Sequence, residues 1–102
     1  MQKEPILLYL KQLKSELLQR GIEKIGLFGS FAQDSADTFS DIDIAIKIEK
    51  DYLNKHDVWE YFNLIQMIKE KLYLKFSRQV DVFDLDSESN IKDYISKKIL
   101  YV

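Results

Sequence analysis

Residues 29–48 read GSFAQDSADTFSDIDIAIKI, and the last eight of them carry the most regular pattern in the chain. Isoleucine occupies every second position of those eight, at 42, 44, 46 and 48. Strict alternation of β-branched residues predicts a strand with one buried face. Asp41 and Asp43 fall on the other set of positions, so we expect their carboxylates to share the opposite face of that strand.

Gly29 and Ser30 directly follow an apolar segment, at about residues 24–28, that we predict to be a strand. A Gly-Ser pair there can turn sharply and present backbone N–H groups and a hydroxyl to a phosphate. Two neighbouring carboxylates suit a hard divalent cation that itself carries a nucleoside triphosphate. A phosphate-binding turn followed by Asp41 and Asp43 therefore predicts nucleotidyl transfer.

A third carboxylate is expected on the same face of the sheet. Residues 80–83 read VDVF, which predicts a strand with Val80 and Val82 toward the core and Asp81 facing away from it. If this strand lies beside the isoleucine-rich one, three carboxylates meet on one face, as a two-metal phosphoryl-transfer site requires. Without cations these groups would repel one another, and at least one pKa would rise.

The remaining predicted elements complete a small domain. Apolar spacing predicts helices at residues 5–20 and 57–75, with Pro5 and Asp57 at their starts and Gly21 ending the first. The apolar positions assigned to the second helix are Val58, Phe62, Ile65, Ile68 and Leu72. Other predictions are a short helix beginning at Ser30, an exposed loop at 33–40, and a last helix capped by Ser87 with Ile91, Ile95 and Ile99. The expected fold class is α+β, a small mixed β-sheet with helices packed on one face.

Size and composition narrow the class of protein. With 102 residues we expect one domain spanning 1–102. A formal net charge of −2 provides no general attraction to nucleic acid or to an anionic membrane. The absence of cysteine excludes disulfides and thiolate metal sites. The first sixteen residues, MQKEPILLYLKQLKSE, hold no apolar run long enough for a signal peptide or a membrane span, so we expect a cytoplasmic protein.

The motif formed by Gly29-Ser30, ten residues and Asp41-x-Asp43 resembles the signature of the DNA polymerase β-like nucleotidyltransferase superfamily. The short length and the segment SDIDIAI resemble its minimal nucleotidyltransferase branch. The resemblance implies the polymerase β-like fold and the use of ATP with two Mg²⁺ ions. It further implies that Gly29 and Ser30 hold the β- and γ-phosphates and that Asp41 and Asp43 coordinate both metals. Asp81 would bind the catalytic metal and help to deprotonate or orient the acceptor hydroxyl.

One departure from the family pattern concerns the phosphate loop. Relatives commonly continue as GSFARG, whereas this chain has Gln33 and Asp34 at the last two positions. An arginine there would neutralise phosphate charge, and Asp34 adds a negative one. Either ATP binding is weakened, or another cation such as Lys47 or Arg78 takes over. Phe31 and Phe39 flank the phosphate loop, and we expect their rings to contact either the nucleotide base or neighbouring residues of the protein.

The resemblance also implies a partner. Minimal nucleotidyltransferases are often encoded beside HEPN-type proteins as toxin–antitoxin pairs, in which the HEPN protein is an RNase toxin. The leading hypothesis is an antitoxin that transfers AMP from ATP to a tyrosine hydroxyl of that toxin, without contact with membrane or direct nucleic-acid binding. The alternative is a degenerate antitoxin that acts by binding alone. A third interpretation is a small-molecule nucleotidyltransferase of the antibiotic-modifying type, which the lack of room for a substrate domain disfavours.

Overall fold

The isoleucine-rich segment forms an inner strand, and the other elements are arranged around it. The computed structural model describes residues 1–86 and 98–102. In chain order its elements are α1 (Lys3–Gln19), β1 (Ile22–Phe28), α2 (Gly29–Ala32), β2 (Ile42–Ile48), α3 (Tyr52–Lys55), α4 (Val58–Phe76), β3 (Val80–Asp84) and β4 (Leu100–Tyr101). The predicted α+β class is confirmed, while α3 and β4 were not expected.

The four described strands form one mixed sheet in the order β3-β2-β1-β4. β1 pairs antiparallel with β2 on one side and with β4 on the other. β2 and β3 are parallel, because α4, which connects them, returns the chain to the end of the sheet at which β2 begins. This arrangement places the β1–α2 turn and the carboxylates of β2 and β3 at one end of the sheet.

The helix ends follow the expected signals with one shift. α1 begins at Lys3, so Pro5 lies within the first turn rather than at the first position, where a proline also sacrifices no helical hydrogen bond. Gly21 adopts φ +100° just beyond the end of α1, a conformation that favours glycine. Asp57 caps α4 as predicted, because its side chain accepts a 2.8 Å hydrogen bond from the Glu60 N–H.

The main core lies between the sheet and the two long helices. β2 contributes Ile42, Ile44, Ile46 and Ile48, as the alternation predicts. The buried residues of the helices are Ile6, Leu10, Leu13 and Leu17 of α1 and Leu64, Ile68 and Leu72 of α4. Val58 and Phe62, which the spacing assigned to the apolar face of α4, are instead exposed.

The opposite face of the sheet carries a second, smaller apolar cluster that the alternation did not predict. Ala45, Leu85 and Ile99 are buried there, with Phe28 and Phe83 partly buried against them. Gly26, which pairs with Ala45, faces the same cluster, and a Cβ added to it would stand 2.8 Å from the Leu100 carbonyl oxygen. The small side chains of β1 and β2 thus make room for the segment that leads into β4.

The predicted last helix is only partly open to comparison. Ser87, Ile91 and Ile95 lie outside the described residues. Ile99 was expected on that helix, but it is not helical and precedes β4, where it packs against the sheet. None of the helices in residues 1–86 and 98–102 is long and apolar enough to cross a membrane.

Candidate active site

Gly29 brings the end of β1 into contact with β2. Phe28 pairs with Asp43 across the two antiparallel strands, and α2 begins at the next residue. Gly29 has φ +74°, and a Cβ built on it would overlap the Asp43 carboxylate. Both the backbone conformation and the close approach therefore require glycine. Ser30 follows half-buried, and within the described residues nothing hydrogen-bonds to its hydroxyl, which leaves that group for a ligand.

The three aspartates singled out in the sequence come together at this end of the sheet. Asp43 of β2 pairs in register with Asp81 of the parallel strand β3, and Asp41 directly precedes β2. Asp43 is half-buried, whereas Asp41 and Asp81 are exposed. In the described part of the chain, no basic side chain forms an ion pair with any of them.

The carboxylates influence one another electrostatically. Burial raises the pKa of Asp43 from 3.8 to about 6, and the negative charges of Asp81 and Asp41 add to that increase. A cation at this position would offset both effects, since it replaces lost hydration and neutralises the repulsion. Carboxylate oxygens are also the donors that Mg²⁺ prefers. The residues therefore fit a Mg²⁺ site in donor chemistry and charge.

The three carboxylates do not converge on one point as they stand. Among the described residues, no three His, Cys, Asp or Glu side chains are grouped closely enough to enclose a metal ion. Electrostatic coupling requires only proximity, whereas a ligand set requires oxygens aimed at a common centre. The exposed side chains of Asp41 and Asp81 would have to rotate toward Asp43 when a cation enters.

The loop that leads into β2 is held by a local network. The Asp37 carboxylate accepts a 2.8 Å hydrogen bond from the Phe39 N–H, and the Ser40 hydroxyl accepts a 2.9 Å bond from the Asp37 N–H. Arg78, just before β3, donates from Nη1 to the carbonyl oxygens of Asp37, Thr38 and Ser40. This network fixes the backbone immediately before Asp41.

The two cations that the sequence suggested as replacements for the family arginine are engaged elsewhere. The Nη1 atom of Arg78 binds loop carbonyls, and the guanidinium lies 5.1 Å from the centre of the Phe31 ring. Lys47 forms a 3.2 Å ion pair with Asp86. It also lies four residues beyond Asp43 on β2, roughly 13 Å along the strand.

The departure at Gln33 and Asp34 has a structural consequence. Asp34 adopts φ +59°, the left-handed region in which glycine is most favourable and aspartate is tolerated. Its carboxylate binds the Lys3 ammonium at 2.7 Å, and this hydrogen bond raises the pKa of Lys3. The negative charge that replaces the family glycine is thus paired with α1.

The chain that carries this site also matches a known protein family. The family model described as polymerase beta, nucleotidyltransferase matches residues 11–102. The chain belongs to this family. No match was found among curated protein sequences.

Solved structures agree with the fold of this family member. A structure described as a minimal nucleotidyltransferase superposes with a TM-score of 0.72 at 18% identity, covering 98% of this chain and 95% of the other. A crystal structure of a toxin–antitoxin with AMP-PNP matches with a TM-score of 0.61 at 25% identity, covering 89% of this chain and 70% of the other. A nucleotidyltransferase from Sulfolobus solfataricus matches at 20% identity with a TM-score of 0.51, covering 93% of this chain and 78% of the other.

A groove adjoins Asp81 in this nucleotidyltransferase-family chain. It has a volume of about 590 Å³ and runs between the second half of α4 and the start of β3. Lys69, Tyr73 and Leu74 line it from α4, and Gln79 and Asp81 from the other side. Sequence reasoning did not identify this groove, because it depends on how α4 crosses the outer edge of the sheet.

Exposed apolar side chains cluster where α3 meets α4. Leu53, Val58 and Phe62 line one cavity of about 770 Å³, and their exposed fractions are 66%, 51% and 55%. Trp59, 72% exposed, lies on the same first turn of α4. We call Leu53, Val58, Trp59 and Phe62 the apolar corner. His56, which stacks on Tyr52 with ring centres 4.3 Å apart, also lies in this region rather than beside the carboxylates.

The two phenylalanines of the loop region have different environments. Phe31 is 2% exposed and belongs to the main core, where Arg78 covers its ring. Phe39 is 91% exposed on the loop before Asp41. Of the two, only Phe39 is accessible to a nucleotide base or to a partner.

Proposed function

We propose that this chain transfers AMP from ATP to a hydroxyl, a tyrosine hydroxyl of a HEPN-type RNase toxin, and so neutralises that toxin as an antitoxin. The observation that carries the proposal is the placement of Asp43 between Asp81 and the Gly29 turn. Carboxylates suited to divalent cations and a turn suited to phosphate lie in contact there, which is the combination that nucleotidyl transfer needs.

The residue roles follow from position and charge. Gly29 and Ser30 would hold the β- and γ-phosphates, since a bulkier residue at 29 would displace Asp43 and the Ser30 hydroxyl has no described partner. Asp41, Asp43 and Asp81 would hold two Mg²⁺ ions. With those ions bound, the site gains charge neutralisation for the triphosphate and for the departing pyrophosphate.

Asp81 is the carboxylate best placed to meet the acceptor. It is exposed, lies at the outer strand of the sheet and lines the groove beside α4. Its carboxylate would accept the hydrogen bond of the attacking hydroxyl and orient its oxygen toward the α-phosphorus. As the hydroxyl oxygen bonds to the α-phosphorus, its proton would pass to the Asp81 carboxylate, and the bond from the α-phosphorus to the bridging oxygen breaks so that pyrophosphate leaves. Positioning supplies much of the acceleration.

Two comparisons support the partner and the nucleotide. The toxin–antitoxin with AMP-PNP shows that a similarly folded chain was crystallised with an ATP analogue. The toxin–antitoxin MntA–HpeT was crystallised as a variant in which two aspartates, two positions apart, are both glutamate. That spacing equals the separation of Asp41 and Asp43. The apolar corner further supports a protein partner, because exposed aromatic and aliphatic clusters favour association.

The test combines two labelled nucleotides with lysate from the source organism. The purified protein is incubated with Mg²⁺ and ATP labelled at either the α- or the γ-phosphate, beside the Asp41→Asn/Asp43→Asn variant. A protein band labelled only from the α-position, and only by wild type, establishes adenylylation and reports the size of the target. Mass spectrometry of that band then identifies the modified side chain. A γ-derived band would instead indicate phosphorylation and contradict the proposal.

A binding-only antitoxin is the second candidate, and the departure at Gln33 and Asp34 favours it. In that case neutralising the carboxylates leaves protection intact. The toxin partner is therefore assayed for RNase activity with wild type and with Asp41→Asn/Asp43→Asn, after circular dichroism has shown that the variant is folded. Protection that survives in the variant selects the binding-only function; protection that requires both carboxylates and ATP selects the transferase.

A further inference from the structure

Arg78 contacts two separate segments around the candidate active site, the loop before β2 and α2. Its Nη1 atom lies 3.2 Å, 3.3 Å and 3.0 Å from the carbonyl oxygens of Asp37, Thr38 and Ser40. Its guanidinium carbon, Cζ, lies over the Phe31 ring, 5.1 Å from the ring centre. A single side chain thus joins the loop before β2 to the α2 turn that follows Gly29.

The contacted residues are immediate neighbours of the groups assigned to the chemistry. Ser40 precedes Asp41, Phe31 follows Ser30, and Arg78 itself lies three residues before Asp81. The backbone beside Arg78 strengthens the connection, because the Gln79 carbonyl accepts a 2.9 Å hydrogen bond from the Ile42 N–H. Motion of the Arg78 side chain would therefore release the loop at the point where it supports Asp41.

We propose that Arg78 is a positioning residue that holds the 37–40 loop so that Asp41 stays beside Asp43. The effect of Arg78 on catalysis rests on the proposed function. The contact between Arg78 and the loop does not. The hydrogen bonds of Arg78 in the described structure all run from Nη1 to carbonyl oxygens of this loop, which favours a role through Asp41 over direct contact with phosphate. A lysine cannot replace it, since an ammonium on a flexible stem lacks the planar group that covers Phe31 while reaching the carbonyls.

The first experiment measures amide hydrogen exchange in metal-free protein and needs no activity. Arg78→Ala and Arg78→Lys are compared with wild type and with Lys75→Ala. Lys75 is a matched control, because it too lies near an aromatic ring, 5.6 Å from the centre of Tyr9, but has no hydrogen bond to the loop in the described structure. We expect the amides of residues 39–42 to exchange about tenfold faster in both Arg78 variants, with the core strands unchanged.

The second experiment is a double-mutant cycle on the binding of Mg²⁺ with AMP-PNP. Arg78→Ala is made in wild type and in the Asp41→Asn background, and affinity is measured by titration calorimetry. If Arg78 acts through Asp41, its removal weakens binding by about tenfold in wild type but has little further effect once the Asp41 charge is gone. Arg78→Lys should behave like Arg78→Ala, whereas a phosphate-binding role would let lysine preserve affinity.

The outcomes separate the proposal from its alternatives. Unchanged amide exchange at residues 39–42 would show that Arg78 does not hold the loop. Faster exchange throughout the core would show that Arg78 stabilises the whole fold rather than the loop. Equal losses of affinity in both backgrounds, or rescue by lysine, would show that Arg78 does not act through Asp41. If wild type itself fails to bind Mg²⁺ with AMP-PNP, the proposed function fails, while the exchange data still decide whether Arg78 holds the loop.

Discussion

On one face of β2, Ile42, Ile44 and Ile46 are fully buried against the helices; on the other, Asp43 lies half-buried beside Asp81. The first face lowers the free energy of the folded state by removing apolar surface from water. The second raises it, because Asp43, with a pKa of about 6, is ionised at neutral pH although it is partly buried and lies near two other negative charges. Stability and the candidate chemistry are thus divided between alternate residues of one strand.

The largest effect on stability is expected from the buried face. Ile44 is fully buried in the main core, so Ile44→Ala should lower the free energy of unfolding by about 3 kcal/mol through lost burial and a residual cavity. Urea denaturation measures it, with Ile44→Val as the matched control at about 1 kcal/mol. A loss below that of the valine variant would contradict the view that this face carries the stability of β2.

The next largest effect is expected at Gly29, where the chain turns at the end of β1 beside Asp43. Gly29→Ala must place a Cβ at positive φ and against the Asp43 carboxylate, so we expect a loss of about 1–2 kcal/mol in stability. Displacement of Asp43 should also lower the rate of AMP transfer by roughly a hundredfold. Ser30→Ala keeps the backbone conformation and serves as the control for the loss of stability. A fully active Gly29→Ala protein would show that the close approach is not required.

The carboxylate face should respond to mutation with the opposite sign. Folding raises the pKa of Asp43 from 3.8 to about 6, so the folded protein retains a proton that the unfolded chain releases. Stability therefore falls as the pH rises between those values and stays lower above them. Asp43→Asn should remove this effect and stabilise the metal-free protein by about 1 kcal/mol at pH 7, a value reduced because solvent screens the half-exposed group. Below about pH 4 the advantage should disappear.

Thermal unfolding of the two proteins across that pH range, in the presence of a chelator, provides the measurement. Asp41→Asn is the matched control, because Asp41 is exposed and its removal should change stability little. An Asp43→Asn protein that is less stable than wild type at pH 7 would show that the carboxylate makes a favourable contact, and the proposed division of β2 would be wrong.

The smallest effect on stability is expected at the apolar corner. Trp59 is 72% exposed, so Trp59→Ala should change the free energy of unfolding by less than about 0.5 kcal/mol. If this surface meets the toxin, the same change should weaken the complex by about 2 kcal/mol while AMP-PNP binding stays unchanged. Leu8→Ala, at a 59% exposed position of α1, is the control. Unaltered affinity for the toxin would exclude this corner as part of the interface.

Local patterns were sufficient to predict much of this molecule. The alternation in β2 identified which isoleucines are buried, because a strand places successive side chains on opposite faces. Asp57 and Gly21 marked helix ends through chemistry that acts within a few residues. The candidate site residues Gly29, Ser30, Asp41, Asp43 and Asp81 were proposed from spacing along two strands and one turn, and their roles stay predictions.

Other features depended on contacts between distant segments. Helical spacing assigned Phe62 to the core, but Phe62 is exposed, because the side of α4 that packs on the core carries Leu64, Ile68 and Leu72. The alternation left Ala45 facing outward, whereas the segment around Leu85 and Ile99 buries it from the other side. Arg78 was considered as a partner for phosphate, and only the folded chain shows that it binds the loop thirty-eight to forty-one residues earlier.

Short stretches of the sequence therefore determine the family, the strand that orders the sheet and the residue types of the candidate site. They can do so because the backbone geometry of a strand decides which neighbouring residues share a face. The raised pKa of Asp43, the requirement for glycine at 29 and the role of Arg78 arise only in the folded protein. Each depends on atoms that are brought within a few ångströms by the pairing of β1, β2 and β3. Burial and electrostatic interactions act through space, and no pattern along the chain specifies their strength.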